Sequence, residues 1–205
     1  MSVYQVALFV HVAAAMAAFV GVGAWFFVVL ALRRARGVAE ITILAPIFRV
    51  GGVVGVTGIL ILSVAGLDMA VSTGSLGFGW IQVAIGAFAV LAPVGPLVVA
   101  PRLERAFREA RLAEEGPPSP VLLARLRDPI PKLALHIILG DLVGIVLVMT
   151  AKPSLTGSIV AIAVSIVVSL VLALPAVGKA AWAFVDGFAN LEESSPVYRW
   201  FGRDR

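Results

Sequence analysis

Five ionisable residues stand inside long apolar stretches of this chain: His11, Arg49, Asp68, His136 and Asp141. Placing such a group in hydrocarbon costs about 3 kcal/mol at a helix centre, so each is a functional candidate by default. Their chemistry divides by type. An imidazole nitrogen can ligate haem iron, and paired axial histidines from two helices hold a b-type haem. A carboxyl can carry a proton or hold a cation. A guanidinium can neutralise a carboxylate. The chain has no cysteine, which excludes thiolate metal sites, disulfides and cysteine nucleophiles. There is no His-x3-His pair, no carboxylate pair beside a histidine and no methionine cluster, so a metal centre is not expected. Neither a P-loop nor a dinucleotide fingerprint stands out. The glycine-rich run from Gly51 to Gly58 lies inside an apolar stretch, where it cannot cradle a phosphate.

Depth sorts these candidates. At a rise of 1.5 Å per residue, His11 lies about 12 Å below the start of its run, and Asp68 within about one turn of the same side. From the opposite side, Arg49 lies about 6 Å in, His136 about 9 Å and Asp141 about 16 Å. An outer group of His11, Asp68 and Met69 is therefore expected, and an inner group of Arg49, His136 and Asp141. A bare carboxylate at the depth of Asp141 must be protonated or paired, and Arg49 is the cation at reachable depth; an Arg49–Asp141 bridge is the leading expectation. The two histidines differ by roughly 10–20 Å in depth, which argues against one shared haem, though His11 or His136 alone could ligate a haem b.

The elements that position these residues follow from hydropathy. Hydrophobic residues make up 60% of the chain and charged ones 14%, with a mean hydropathy of +1.04. A water-soluble domain carries about 25% charged residues. The excess apolar surface requires lipid as solvent. Five stretches reach the roughly 20 apolar residues a span needs: about 3–32, 45–71, 80–100, 130–151 and 156–178. In hydrocarbon every backbone N–H needs an internal partner, so the spans are expected to be helices. The fold expected is an all-α polytopic transmembrane bundle. The first run is too long for a signal peptide, and its basic flank follows it; it reads as a retained span.

Charge sets the orientation. Arg33, Arg34 and Arg36 fill the first loop, and six arginines from Arg102 to Arg127 fill the third. The second loop, 72–79, is uncharged and the fourth holds only Lys152. The positive-inside rule then places the N-terminus out and the C-terminus in, across a bacterial inner membrane. A pI near 10.1 reflects these clusters and implies no nucleic-acid partner. Segment 101–129 is expected to be a cytoplasmic hairpin. Its Arg102–Glu115 part extends the third span as a helix, with Glu104–Arg108 and Arg105–Glu109 spaced for i,i+4 pairing. Segment 179–205, with Trp182, Phe184 and Trp200 among basic residues, is expected to lie on the inner surface.

Small residues mark helix contacts. Gly51 and Gly55, Ala14 and Ala18, Ala17 and Gly21, and Gly140 and Gly144 each form a small-xxx-small pair. Packing within the chain is the leading reading, with homodimerisation through the second span as the rival. Pro93 and Pro96 imply a kink in the third span.

Two motifs carry a resemblance. The first span reads Leu8-Phe-Val-His11-Val-Ala-Ala-Ala, and the fourth ends Met149-Thr-Ala-Lys152-Pro153. Together they resemble a bacterial family of predicted integral membrane proteins, domain-of-unknown-function family 2269. The first span also resembles copper-resistance D-like membrane proteins and membrane-type protoporphyrinogen oxidases. The resemblance implies a membrane location and no particular activity.

The function expected is that of a non-enzymatic accessory or binding component in the lipid bilayer, with a membrane-protein partner or a second copy as its associate. The alternatives are a haem- or metal-binding redox protein using His11 or His136, and a small proton-coupled permease using Asp141.

Overall fold

The computed structural model describes residues 2–174. The surface segment expected over 179–205, and the end of the fifth span, lie outside the described residues. Within them the chain is helical: α1 (Val3–Leu32), α2 (Val38–Ser72), α3 (Gly79–Leu91), α4 (Ala100–Leu112), α5 (Pro120–Leu126), α6 (Pro129–Ala151) and α7 (Leu155–Leu172). A five-residue π-helical turn, Gly95–Val99, joins α3 to α4. Five spans are long and apolar enough to cross a membrane: α1, α2, α3 with α4, α5 with α6, and α7.

Local signals explain the ends. Ser2 and Gln5 form a capping box on α1, each side chain bonding the other's backbone N–H. Ser119, Asp128 and Ser154 cap α5, α6 and α7. Lys152 ends α6 in the left-handed conformation, φ 48°, its N–H donating to the Val148 carbonyl. Its ammonium sits 5.6 Å from the Trp80 ring centroid, tying the α6–α7 turn to the start of α3. The Met-x-x-Lys-Pro ending thus marks a helix stop.

Helix α2 begins at Val38 rather than near Ala45, and runs 35 residues. That is roughly 52 Å, well beyond a hydrocarbon core of about 30 Å. The break between α3 and α4 has a direct cause. Pro93 and Pro96 cannot donate, and the ladder resumes only when Leu97 N–H reaches the Pro93 carbonyl at 2.9 Å.

Two apolar clusters hold the bundle. The larger joins α1, α2, α4, α5 and α6 around Trp25, Leu32, Ile41, Phe48, Phe107, Leu122 and Leu135. The smaller, at the other end, joins α3, α6 and α7 around Ala84, Val148 and Ile162. Between clusters, glycines bring backbones together. A Cβ on Gly21 would fall 2.3 Å from Gly55 Cα, and one on Gly58 would fall 2.7 Å from Ala18 N. The glycine face of α2 is therefore occupied by α1 of the same chain. Gly140 and Gly144 do the same on α7, beside Ile166 and Ile162. The outward faces stay apolar, with Phe27 and Val64 each 71% exposed. Such a surface suits lipid.

Candidate functional site

Asp141 sits midway along α6 with 2% of its surface exposed. Its Oδ1 is buried and has no hydrogen-bond partner. Buried polar atoms are almost always bonded, so this one calls for an explanation. Asp141 is among the residues lining a cavity of about 40 Å³ between α1, α2, the α3–α4 break and α6. That volume admits water.

Five glycines help to make room for the cavity. Gly21 of α1, Gly51, Gly52 and Gly55 of α2, and Gly95 of the π turn all face it. Trp25 closes one side and explains two of these glycines. A Cβ on Gly52 would meet Trp25 Cζ2 at 3.0 Å, and one on Gly95 would meet Cζ3 at 3.2 Å. The indole is held in place twice over. Its Nε1 donates to the Phe48 carbonyl at 2.8 Å, and its ring stacks on Phe48 with centroids 4.9 Å apart. The kinked α3 contributes Phe88, Leu91 and Ala92 to the opposite side. The result is an apolar chamber with one carboxyl-bearing residue in its lining. It can hold a proton, a water or a small hydrogen-bond donor.

Arg49 does not reach Asp141. Its Nε lies 3.4 Å from Glu104 Oε1 on α4, with its side chain 47% exposed. The expected Arg49–Asp141 bridge is corrected on this point. Arg49 lies on the side of α2 that meets α4, turned away from the Gly51 face that lines the Asp141 cavity, and partly exposed Glu104 is its partner there. Glu104 and Glu109 are likewise taken by other elements rather than by the arginines four residues away. Arg125 of α5 meets Glu109 at 2.7 Å, and Arg102 meets Asp128 at 3.6 Å. Arg33 donates to the Arg127 and Asp128 carbonyls, at 3.1 Å each. The basic loops are thus gathered at one end of the bundle.

His136 is buried one turn and a half before Asp141 on α6. Phe26 of α1 meets its ring edge-on at 5.0 Å, and the Ser169 hydroxyl of α7 lies 3.4 Å from Nδ1. It is a packed, partnered histidine. His11 lies elsewhere. Its ring faces α2, where a Cβ on Gly66 would come within 2.8 Å of Cε1. His11 Nδ1 is buried without a hydrogen-bond partner. Phe26, which touches His136, stands fifteen residues beyond His11 on α1, roughly 22 Å along the axis. The two imidazoles cannot flank one iron. Asp68 is exposed and is joined to His11 by no hydrogen bond or ion pair among the described residues. Two residues beyond Gly66, it points roughly 200° around α2 from the side His11 faces.

Two contributors, Trp25 and Lys132, were not singled out from sequence, and a third, Glu104, was expected to pair with Arg108. Trp25 resembles any span aromatic until its indole N–H finds a carbonyl. Lys132 bonds the Ala173 carbonyl at 2.5 Å, closing the end of α7 from α6. Glu104 became a partner only once α2 and α4 were seen to pack. No group of three or more His, Cys, Asp or Glu that could hold a metal occurs among the described residues.

Residues 5–153 match a family described as predicted integral membrane protein, DUF2269. The match takes in all five ionisable candidates and the cavity, and stops before α7. No curated protein and no solved structure matches the chain.

Proposed function

Because the chain belongs to the DUF2269 family of predicted integral membrane proteins, we propose that it is a non-enzymatic binding component of a bacterial inner membrane, with the Asp141 cavity as its functional centre. The N-terminus lies outside and the C-terminus in the cytoplasm. The gathering of Arg33, Arg34, Arg36, Arg102, Arg105, Arg125 and Arg127 at one end supports that orientation. One observation supports the functional reading: Asp141, whose Oδ1 is buried with no protein partner, is the single ionisable residue lining a cavity large enough for a water. A carboxyl so placed takes up a proton, and its ligand is a proton or a small hydrogen-bond donor. Infrared difference spectroscopy of the purified full-length protein tests this. A protonated-carboxyl band should be present in the wild type and absent in Asp141→Asn. A spectrum unchanged by the substitution would falsify the assignment.

A second reading makes the same carboxyl the coupling group of a small proton-coupled permease. Its support is the helix break at Pro93–Val99 beside the cavity, where a span can bend. Proton-driven uptake into vesicles, lost in Asp141→Asn, is its signature. A haem b on His11 alone would have to be ligated through Nε2, because Nδ1 is buried against Gly66 of α2. A Soret band removed by His11→Ala would establish it, and a colourless preparation would end it.

A further inference from the structure

The basic end of the bundle carries a second, larger recess, of about 320 Å³. That is near the lower end of the range for small-ligand sites, about 300–1,000 Å³. It is lined by Leu97, Pro101, Arg102, Arg105, Arg125 and Asp128, drawn from the π turn, α4, α5 and the start of α6. Three guanidinia against one carboxylate leave the recess cationic. Two of the three are positioned by the protein. Arg102 donates to the Val98 carbonyl at 2.9 Å and meets Asp128, while Arg125 is held by Glu109. Arg105, exposed on α4, makes no hydrogen bond or ion pair among the described residues. A prepared fork with a free donor is how arginine presents itself to a phosphate.

The other wall is apolar. Leu97, 72% exposed, stands five residues before Arg102 on the third span. A recess with arginines on one side and a lipid-facing leucine on the other matches an amphiphile. We propose that this recess binds the phosphate headgroup of an anionic phospholipid, with an acyl chain descending past Leu97. The shared chemistry is a phosphate anion. The apolar wall selects the lipid over a free phosphate, and basic recesses beside spans are suited to anionic headgroups. The site is separate from the Asp141 cavity and does not depend on its reading.

The test uses the full chain, purified in a neutral detergent. Native mass spectrometry and thermal shift are followed while cardiolipin, phosphatidylglycerol, phosphatidylcholine or inorganic phosphate is added. Cardiolipin and phosphatidylglycerol should bind and raise the melting temperature, and phosphatidylcholine should not. Arg105→Gln should weaken binding about fivefold, and Arg105→Gln with Arg125→Gln about 25-fold. Arg36→Gln, at the same end but outside the recess, should leave binding unchanged. Because Arg105 has no partner to lose, its variant should melt like the wild type without lipid. Equal binding of phosphatidylcholine, saturation by inorganic phosphate alone, or an equal loss in Arg36→Gln would each overturn the proposal.

Discussion

At the basic end, Arg49, Arg102 and Arg125 each reach a carboxylate on another element while their side chains stay 37–47% exposed. At mid-bundle, Asp141 is 2% exposed and its Oδ1 reaches nothing. The same residue types obey opposite rules in the two places. Water solvates the arginine pairs, so each contributes little and can be exchanged. Nothing solvates Asp141 except what enters its cavity. Charge at the basic end orients and joins elements. The carboxyl at mid-bundle joins nothing and is buried at a cost.

The strongest way to break that contrast is to place the opposite charge in the chamber. Asp141→Lys should destabilise the fold by about 3 kcal/mol, read as loss of monodisperse protein in detergent. A normal yield and melting curve would mean that the chamber is wetter than its lining suggests. Next is the chamber wall. Gly21→Ala drives a methyl against the Gly55 backbone and should cost about 1–3 kcal/mol. Gly23→Ala, whose Cβ meets nothing within 4 Å, should melt like the wild type. Third, Trp25→Phe removes the donor to the Phe48 carbonyl and should cost about 1 kcal/mol in the same assay. The smallest effect belongs to the basic end. Arg49→Gln should change stability by about 0–1 kcal/mol and lose even that at high salt. Combined with Asp141→Asn, its effect should add to within about 0.5 kcal/mol, since the two do not touch. Strong coupling between them would restore the Arg49–Asp141 bridge in place of the Arg49–Glu104 pair.

The contrast also separates what hydropathy can reveal from what it cannot. Five spans, their helical state and the break at Pro93–Pro96 were legible, because each follows from a local property: run length, unmet backbone donors, or a missing N–H. The small-residue pairs were legible as contacts for the same reason. Partners were not. Depth arithmetic put Arg49 and Asp141 within reach, but depth ignores rotation about the helix axis, and Arg49 points to α4. His11 and Asp68 failed as a group on rotation alone. Glu104–Arg108 and Arg105–Glu109 had valid spacing on α4, yet α2 and α5 offered partners that spacing within one helix cannot reveal. The cavity was the hardest feature to foresee. It needs Gly21, Gly52, Gly95, Trp25 and Asp141, which come from α1, α2, the π turn and α6, and no window along the chain contains more than two of them.

The near-touching backbones of Gly21 and Gly55 have a mechanical consequence. With no side chains interposed, this crossing can serve as a fulcrum: a few degrees of tilt between α1 and α2 would be levered along both rods while the crossing itself stays put. The chamber lies beside that crossing, since Gly21 and Gly55 both line it. A single added methyl at the crossing would jam the joint.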